Sequence, residues 1–134
     1  KNRYGIQFSQ PHALFLVDMD GDGLMDFVTG KRFWAHGKNG PDPESDNAPA
    51  VLYWLRLVRP AKGLADFIPH LIDDDSGVGT QVTAGCVSNP KYPDIVVGNK
   101  KGVFVFKHDV KEVTRAEWEK AQPKPLPAAG ADAK

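Results

Sequence analysis

Seven short apolar runs, separated by clusters of glycine, proline and aspartate, constrain the fold of this chain more than any other feature. Most of the runs contain β-branched or aromatic residues, and none is long enough for a typical buried helix, so they predict strands. The predicted strands cover residues 12–18, 26–30, 50–58, 66–73, 80–87, 94–98 and 102–108. Pro69 lies inside the fourth run, and we expect that strand at a sheet edge or beside a bulge. The sequence therefore predicts an all-β protein.

The C-terminal part of the chain departs from this pattern. Thr114 is followed three residues later by Glu117, which is the spacing of a helix-capping box. We predict a short helix within residues 111–122, docked by Trp118 and ended by Pro123. Residues 123–134 are rich in proline and alanine and predict a flexible tail or linker. The preceding residues 1–110 form the predicted β segment.

An internal repeat underlies the strand pattern. "DFVTG" begins at Asp26 and "DIVVG" begins at Asp94, and each follows an apolar run and a polar turn. Two further runs lie between them, so the unit contains four consecutive strands before it begins again. A repeated antiparallel unit of four strands is typical of β-propeller blades. We therefore predict about two blades, the first over residues 7–73 and a partial second over residues 78–108.

The turn between the first two predicted strands carries a pattern typical of a cation site. Asp18, Asp20, Asp22 and Asp26 occupy positions 1, 3, 5 and 9 of the loop, and Leu24 offers its carbonyl at position 7. Alternate residues of a tight loop converge on one side, and the glycines between them permit the bends. Such a set of hard oxygen ligands suits Ca²⁺. The alternative is a solvated turn without an ion, which four alternating carboxylates fit poorly.

The same loop does not fit an EF-hand. An EF-hand needs a bidentate glutamate at position 12 and helices on both sides, whereas position 12 here is Thr29 and both flanks predict strands. In the second repeat Cys86, Ser88 and Pro90 stand where the first three aspartates stand, and only Asp94 is kept. The same hairpin is thus expected to form without an ion, which favours a structural brace over a calcium switch or a catalytic metal.

The acidic loop and two later stretches resemble a known family. "LVDMDGDGLMDFVTG" is similar to the FG-GAP/VCBS repeat, the calcium-loop blade of integrin-α-type β-propellers. "HLIDDDSGVGTQVTAG" and "PDIVVGNKKGVFVF" resemble the blade junction and next repeat of secreted bacterial propeller proteins of planctomycete type. The resemblance covers about residues 7–107. It implies that Asp18, Asp20, Asp22, the Leu24 carbonyl and Asp26 bind Ca²⁺. The family propeller has more blades than this chain supplies, so we expect a fragment, a terminal section completed by another chain, or a small variant with an open sheet edge.

Two further polar stretches are candidates for ligand binding. Arg32, Trp34 and His36 combine charge with an aromatic surface, which suits an anion or a sugar. The alternative is a solvated loop anchored by a buried Trp34. Three adjacent carboxylates occupy residues 73–75, and adjacent side chains on a strand diverge. We therefore expect a solvated turn there, with a second cation as the alternative.

Composition limits the other classes of function. Lys and Arg number 17 and Asp and Glu also number 17, so no net basic charge attracts nucleic acid. No stretch approaches the roughly 18 apolar residues of a membrane span. Cys86 is the only cysteine, which excludes a disulfide within the chain, and we expect it to be a small buried hydrophobe. The start at Lys1 instead of Met is expected of a chain that lost a leader or belongs to a longer protein.

These features predict a calcium-binding, extracytoplasmic β-propeller segment that acts as a scaffold for binding or assembly. Its expected location is secreted, periplasmic or at the cell surface. The alternative is part of a propeller enzyme acting on a carbohydrate or sugar acid, although no catalytic set is visible in the sequence. A third hypothesis is a subunit of a homo-oligomer or larger assembly, whose open sheet edges pair with other chains.

Overall fold

The computed structural model describes residues 3–34 and 48–127. All seven predicted strands are present, although several are one to three residues shorter at their ends than the apolar runs. They are β1 (Leu14–Val17), β2 (Asp26–Gly30), β3 (Leu52–Val58), β4 (Asp66–Asp73), β5 (Gln81–Gly85), β6 (Asp94–Asn99) and β7 (Gly102–Phe106). One helix follows, α1 (Arg115–Ala121).

The first four strands form one antiparallel sheet in the order β1-β2-β3-β4. Its first hairpin closes with Val17 opposite Asp26, so the acidic loop projects from the end of β1 and β2. Pro69 lies on β4, opposite Leu55. Since β4 is an edge strand of this sheet, the missing proline N–H leaves the ladder intact. The edge position predicted from Pro69 is confirmed.

The last three strands form a second antiparallel sheet in the order β5-β6-β7. Its first hairpin closes with Gly85 opposite Asp94, and its second with Asn99 opposite Gly102. The described residues thus form two antiparallel sheets and one short helix, which confirms the all-β class. The closure of such sheets into a propeller stays a prediction.

The two sheets share one hydrophobic core, and β1 and β2 lie nearest to β5. The buried core residues come from strands of both sheets, from the residue before β1, from the β1–β2 loop and from the segment between β4 and β5: Ala13, Met19, Val28, Leu52, Val78, Val82, Ile95 and Val97. Full burial of one aliphatic side chain contributes about 1.5–3 kcal/mol to the free energy of unfolding. This shared core therefore fixes the first sheet against the second.

The segment between β4 and β5 also joins the sheets through its backbone. Val78 donates its N–H to the Lys31 carbonyl at 3.0 Å and forms an isolated parallel bridge with Arg32. Gly79 lies so close to Gly98 that a Cβ atom there would come within 1.8 Å of the Gly98 carbonyl oxygen. Glycine is therefore required at residue 79, and this contact brings the end of β2 beside the β6–β7 turn.

Helix α1 lies on the surface and has no buried residue. The predicted capping box is confirmed, because Thr114 and Glu117 exchange hydrogen bonds between side chain and backbone. Trp118 remains 44% exposed and contacts the Arg56 guanidinium of β3, which lies 5.2 Å from the ring centroid. Gln122 also accepts a hydrogen bond from Arg56 at 3.4 Å. The helix is therefore attached mainly by Arg56, and not by burial of Trp118.

The expectation for Cys86 is answered at the surface, whereas the flexible tail stays a prediction. Cys86 is exposed, so its expected burial is wrong: it follows the last residue of β5 and stands in the hairpin loop. In the tail, Leu126 donates its N–H to the Arg3 carbonyl at 2.8 Å, and residues 128–134 lie outside the described part. No helix within the described ranges has the length and apolar character to cross a bilayer.

Candidate functional site

The acidic loop between β1 and β2 is folded around the carboxylate of Asp18. Its Oδ1 accepts hydrogen bonds from the N–H groups of Gly21 at 2.8 Å and Asp22 at 3.2 Å, and its Oδ2 accepts one from Gly23 at 2.9 Å. Gly21 and Gly23 have φ of +76° and +86°, in the region that other residues rarely adopt. Asp22 Oδ1 in turn accepts the N–H of Leu24 at 2.8 Å. The loop is therefore a compact turn with its carboxylates drawn together.

Three of the predicted ligands converge at this loop. One carboxylate oxygen from each of Asp18, Asp20 and Asp22 lies within 4.8 Å of the other two. No other group of three potential metal ligands occurs among residues 3–34 and 48–127. The donors are all hard carboxylate oxygens, and no nitrogen or sulfur ligand is among them. That donor set suits Ca²⁺ better than Zn²⁺.

A fourth residue, Arg56, reaches the same loop from β3. Its Nε lies 2.8 Å from Asp20 Oδ2, and both side chains are largely shielded from solvent. Burial of the Asp20 carboxyl, followed by the negative charge of Asp22, raises the pKa of Asp20 above its ordinary value, while the Arg56 charge opposes that rise. A nearby positive charge therefore stabilises the ionised form of Asp20, and the Arg56 guanidinium already supplies one.

Asp26, the fourth predicted carboxylate ligand, is not part of this cluster. It is fully buried at the start of β2. Its Oδ2 accepts hydrogen bonds from the Met19 N–H at 3.2 Å and the Trp54 indole N–H at 2.8 Å, and its Oδ1 accepts the Leu57 N–H at 2.8 Å. Three protein donors therefore bind this carboxylate, which ties the loop to β3.

The second hairpin contains a matching buried aspartate. Asp94 accepts the N–H groups of Val87, Ser88 and His108 and the hydroxyl of Ser88. The backbone hydrogen bonds from Ser88 and His108 lower the pKa of Asp94 to about 2. Asp94 is thus held ionised as a structural acceptor, and the loop before it, residues 86–93, contains no carboxylate.

The remaining predicted metal ligands are placed differently. For Leu24, the structure records its N–H bond to Asp22 as a feature of the turn. At residues 73–75, Asp73 accepts the N–H groups of Asp75 and Ser76, and Asp75 pairs with Lys101. Burial acts to raise the pKa of Asp73, but the bonds from Ser76 and Asp75 and the charge of Lys101 outweigh it and lower that pKa. These carboxylates do not converge, as expected for a turn.

The predicted ligand site after β2 is present in part. Arg32 and Trp34 line one cleft of about 360 Å³ between the two sheets. Trp34 is 47% exposed, so the alternative in which it is a buried anchor is wrong. His36, the third predicted member, lies outside the described residues.

Two structurally important residues could not be assigned these roles from their local sequence. Arg56 reaches the acidic loop because β3 pairs with β2, a contact that no local motif reveals. Asp26 is a buried acceptor, and the recurrence of aspartate at residue 94, without the other carboxylates, was the available signal.

Comparison of the chain with protein-family models, with curated proteins and with solved structures found no match.

Proposed function

We propose that this chain is a calcium-braced segment of an extracytoplasmic β-propeller-type protein that acts as a scaffold for binding or assembly. The observation that carries the proposal is the convergence of Asp18, Asp20 and Asp22 within 4.8 Å at the tip of the β1–β2 hairpin. Three carboxylates at that separation repel one another, and a divalent cation removes the repulsion. Asp26 is not included among the proposed ligands, because it is fully buried against donors from β3 and lies outside the converging group.

A cation at this loop stabilises the fold because it binds the folded state alone. The unfolded chain does not hold the three carboxylates together, so binding adds RT ln(1 + [L]/Kd) to the free energy of unfolding. With a Kd of about 10⁻⁴ M and about 1 mM calcium, as in extracellular modules, the gain is about 1.4 kcal/mol. A site of that affinity is filled only where calcium is abundant, and the proposed location is therefore secreted, periplasmic or at the cell surface.

The scaffold role is supported by the sheet arrangement. The first sheet is a four-stranded antiparallel meander, which is the unit of a propeller blade. Several apolar side chains on the edge strands are exposed, including Leu14 and Leu16 on β1 and Val103 and Val105 on β7. Further blades, other chains or copies of this chain would cover such edges.

The calcium proposal is tested by thermal unfolding with calcium and with EDTA. We expect calcium to raise the melting temperature of the wild-type chain and of Asp74→Asn, an exposed acidic variant outside the cluster, by a few degrees. In Asp22→Asn the amide oxygen keeps the hydrogen bond from Leu24 but the charge is lost, so the shift should largely disappear. Equal melting temperatures of the wild-type chain in calcium and EDTA would contradict the proposal.

The enzyme hypothesis, with a carbohydrate or sugar acid as substrate, is the second candidate. The observation in its favour is that Arg32 and Trp34 line the same cleft. The described lining residues of that cleft include no carboxylate, histidine or cysteine that would act as an acid, base or nucleophile. The cleft therefore supports ligand binding more directly than turnover.

A further inference from the structure

The cleft between the two sheets has a size suited to a small ligand. It measures about 360 Å³, near the lower end of the range of roughly 300–1,000 Å³ for ligand pockets. The end of β2 supplies Arg32 and Trp34, and the β6–β7 turn supplies Lys100. The backbone bridge at Val78 and the close approach of Gly79 to Gly98 hold these segments together. The cleft is therefore built by the shared packing of both sheets.

The described lining of the cleft is positively charged. It includes Arg32 and Lys100, and among the residues that the structure describes no carboxylate lines the cleft or pairs with either cation. By contrast, Arg3, Arg56 and Lys101 each pair with an aspartate. The Arg32 Nε is also shielded from solvent and donates to no described group. A shielded guanidinium N–H without an acceptor is a donor available to a ligand.

The aromatic wall of the cleft positions one of these cations. Lys100 Nζ lies 3.7 Å from the centroid of the Trp34 ring, close enough for a cation–π interaction. This interaction holds the ammonium group beside the cleft, where an unattached lysine would extend into water. The half-exposed Trp34 ring also offers an apolar surface next to the two positive charges.

We propose that this cleft binds the oxyanion of a small organic anion. Arg32 and Lys100 recognise the carboxylate or phosphate group, since a guanidinium matches the geometry of both groups and an ammonium attracts them as a point charge. Trp34 packs against the apolar part of the same molecule. This site goes beyond the calcium function, because none of its residues belongs to the acidic cluster.

The proposal is tested by NMR titration of the ¹⁵N-labelled full chain with four probes: glucuronate, glucose 6-phosphate, glucose and inorganic phosphate. We expect saturable shifts in the amides of residues 32–34, 80 and 98–100 with glucuronate or glucose 6-phosphate. Glucose should cause no saturable shift, and inorganic phosphate should bind at least threefold more weakly than the tighter-binding of the two anionic sugars, glucuronate and glucose 6-phosphate. Comparison of these two anionic sugars distinguishes a carboxylate from a phosphate ligand.

Variants separate a built site from general surface charge. Arg32→Gln and Lys100→Gln should each weaken binding of the tighter-binding anionic sugar at least tenfold. Lys62→Gln, at an exposed turn between β3 and β4 and outside the described lining of the cleft, should leave that binding unchanged. Lys100→Gln gives the answer alone if Arg32→Gln fails to fold, which its amide spectrum would show. Absence of saturable binding by both anionic sugars, equally tight binding of glucose, or equal weakening by Lys62→Gln would overturn the proposal. If inorganic phosphate binds as tightly as the tighter-binding anionic sugar, the proposed role of Trp34 is overturned.

Discussion

The β1–β2 and β5–β6 hairpins share the same pattern of hydrogen bonds to a buried aspartate but carry different loops. Asp26 and Asp94 each begin the second strand of their hairpin, and each accepts the N–H of the residue seven positions earlier. Each also accepts an N–H from the third strand, Leu57 in the first sheet and His108 just after β7 in the second. The strand registers place these two donors equivalently. Phe27, which follows Asp26, pairs with Leu55, two residues before Leu57. Ile95, which follows Asp94, pairs with Phe106, two residues before His108.

The loops themselves show which groups the turn requires. In the second hairpin, Asn89 Oδ1 accepts the N–H groups of Lys91 and Tyr92, so a neutral amide shapes that loop. In the first hairpin, the charged Asp18 and Asp22 do the corresponding work. Neutral side chains are therefore sufficient to form such a turn, and the clustered charge of the first loop needs another explanation. A bound cation supplies one.

We expect the largest loss of stability when the buried aspartate that both hairpins share is replaced. Asp26→Ala leaves three buried N–H donors without their acceptor, at about 1–3 kcal/mol each. We expect urea unfolding to show a loss of about 3 kcal/mol or more in the free energy of unfolding. Asp94→Ala should lower the stability in the same direction. A loss below about 1 kcal/mol for Asp26→Ala would show that this aspartate is not the common anchor of the hairpin.

The pH dependence of stability should separate the contribution of His70 from that of Asp94. Burial, followed by the nearby Arg56 charge, lowers the pKa of His70 on β4 from 6.5 to about 4. The unfolded chain then binds more protons between those values, so stability conferred by neutral His70 is lost as the pH falls from about 6.5 to about 4. Asp94, with its pKa lowered from 3.8 to about 2, contributes stability that is lost only as the pH falls from about 4 to about 2.

Urea unfolding at a series of pH values measures both effects. His70→Phe, which keeps a ring beside Trp54, should flatten the stability curve between pH 6.5 and 4 and leave the lower window unchanged. Asp94→Asn should reduce the slope in the lower window, to which Asp73 and Glu117 also contribute through their lowered pKa values, and leave the upper window unchanged. A wild-type curve that is flat between pH 6.5 and 4 would contradict the role of His70.

A smaller effect is expected from Arg56, which distinguishes the first loop from the second. Its positive charge 2.8 Å from Asp20 opposes the approach of another cation. Arg56→Gln should therefore tighten calcium binding by about 3- to 10-fold, the effect of roughly 1 kcal/mol of electrostatic interaction. Calorimetric titration measures the change, with Arg115→Gln on the exposed face of α1 as the control. Weaker calcium binding by Arg56→Gln would mean that this residue organises the site instead of competing for it.

The sequence was sufficient for the strands and the helix start but not for contacts between distant segments. β-branching, turn residues and the Thr114–Glu117 spacing are local, and the structure confirms the elements that they predicted. The approach of Arg56 to Asp20 depends on how β3 pairs with β2, and the burial of Asp26 depends on donors from Trp54 and Leu57. The exposure of Cys86 and Trp34 could not be predicted, because hydrophobic character alone does not fix the side of a loop that a residue faces.

A calcium titration of the ¹⁵N-labelled chain, followed by NMR, compares the two hairpins in one experiment. We expect saturable shifts in the amides of residues 18–24 and none in the amides of residues 86–93. Magnesium at equal concentration should cause weaker shifts, because it demands stricter octahedral geometry. Absence of saturable shifts in the first loop, or equal shifts in both loops, would contradict the claim that the acidic hairpin is the calcium site.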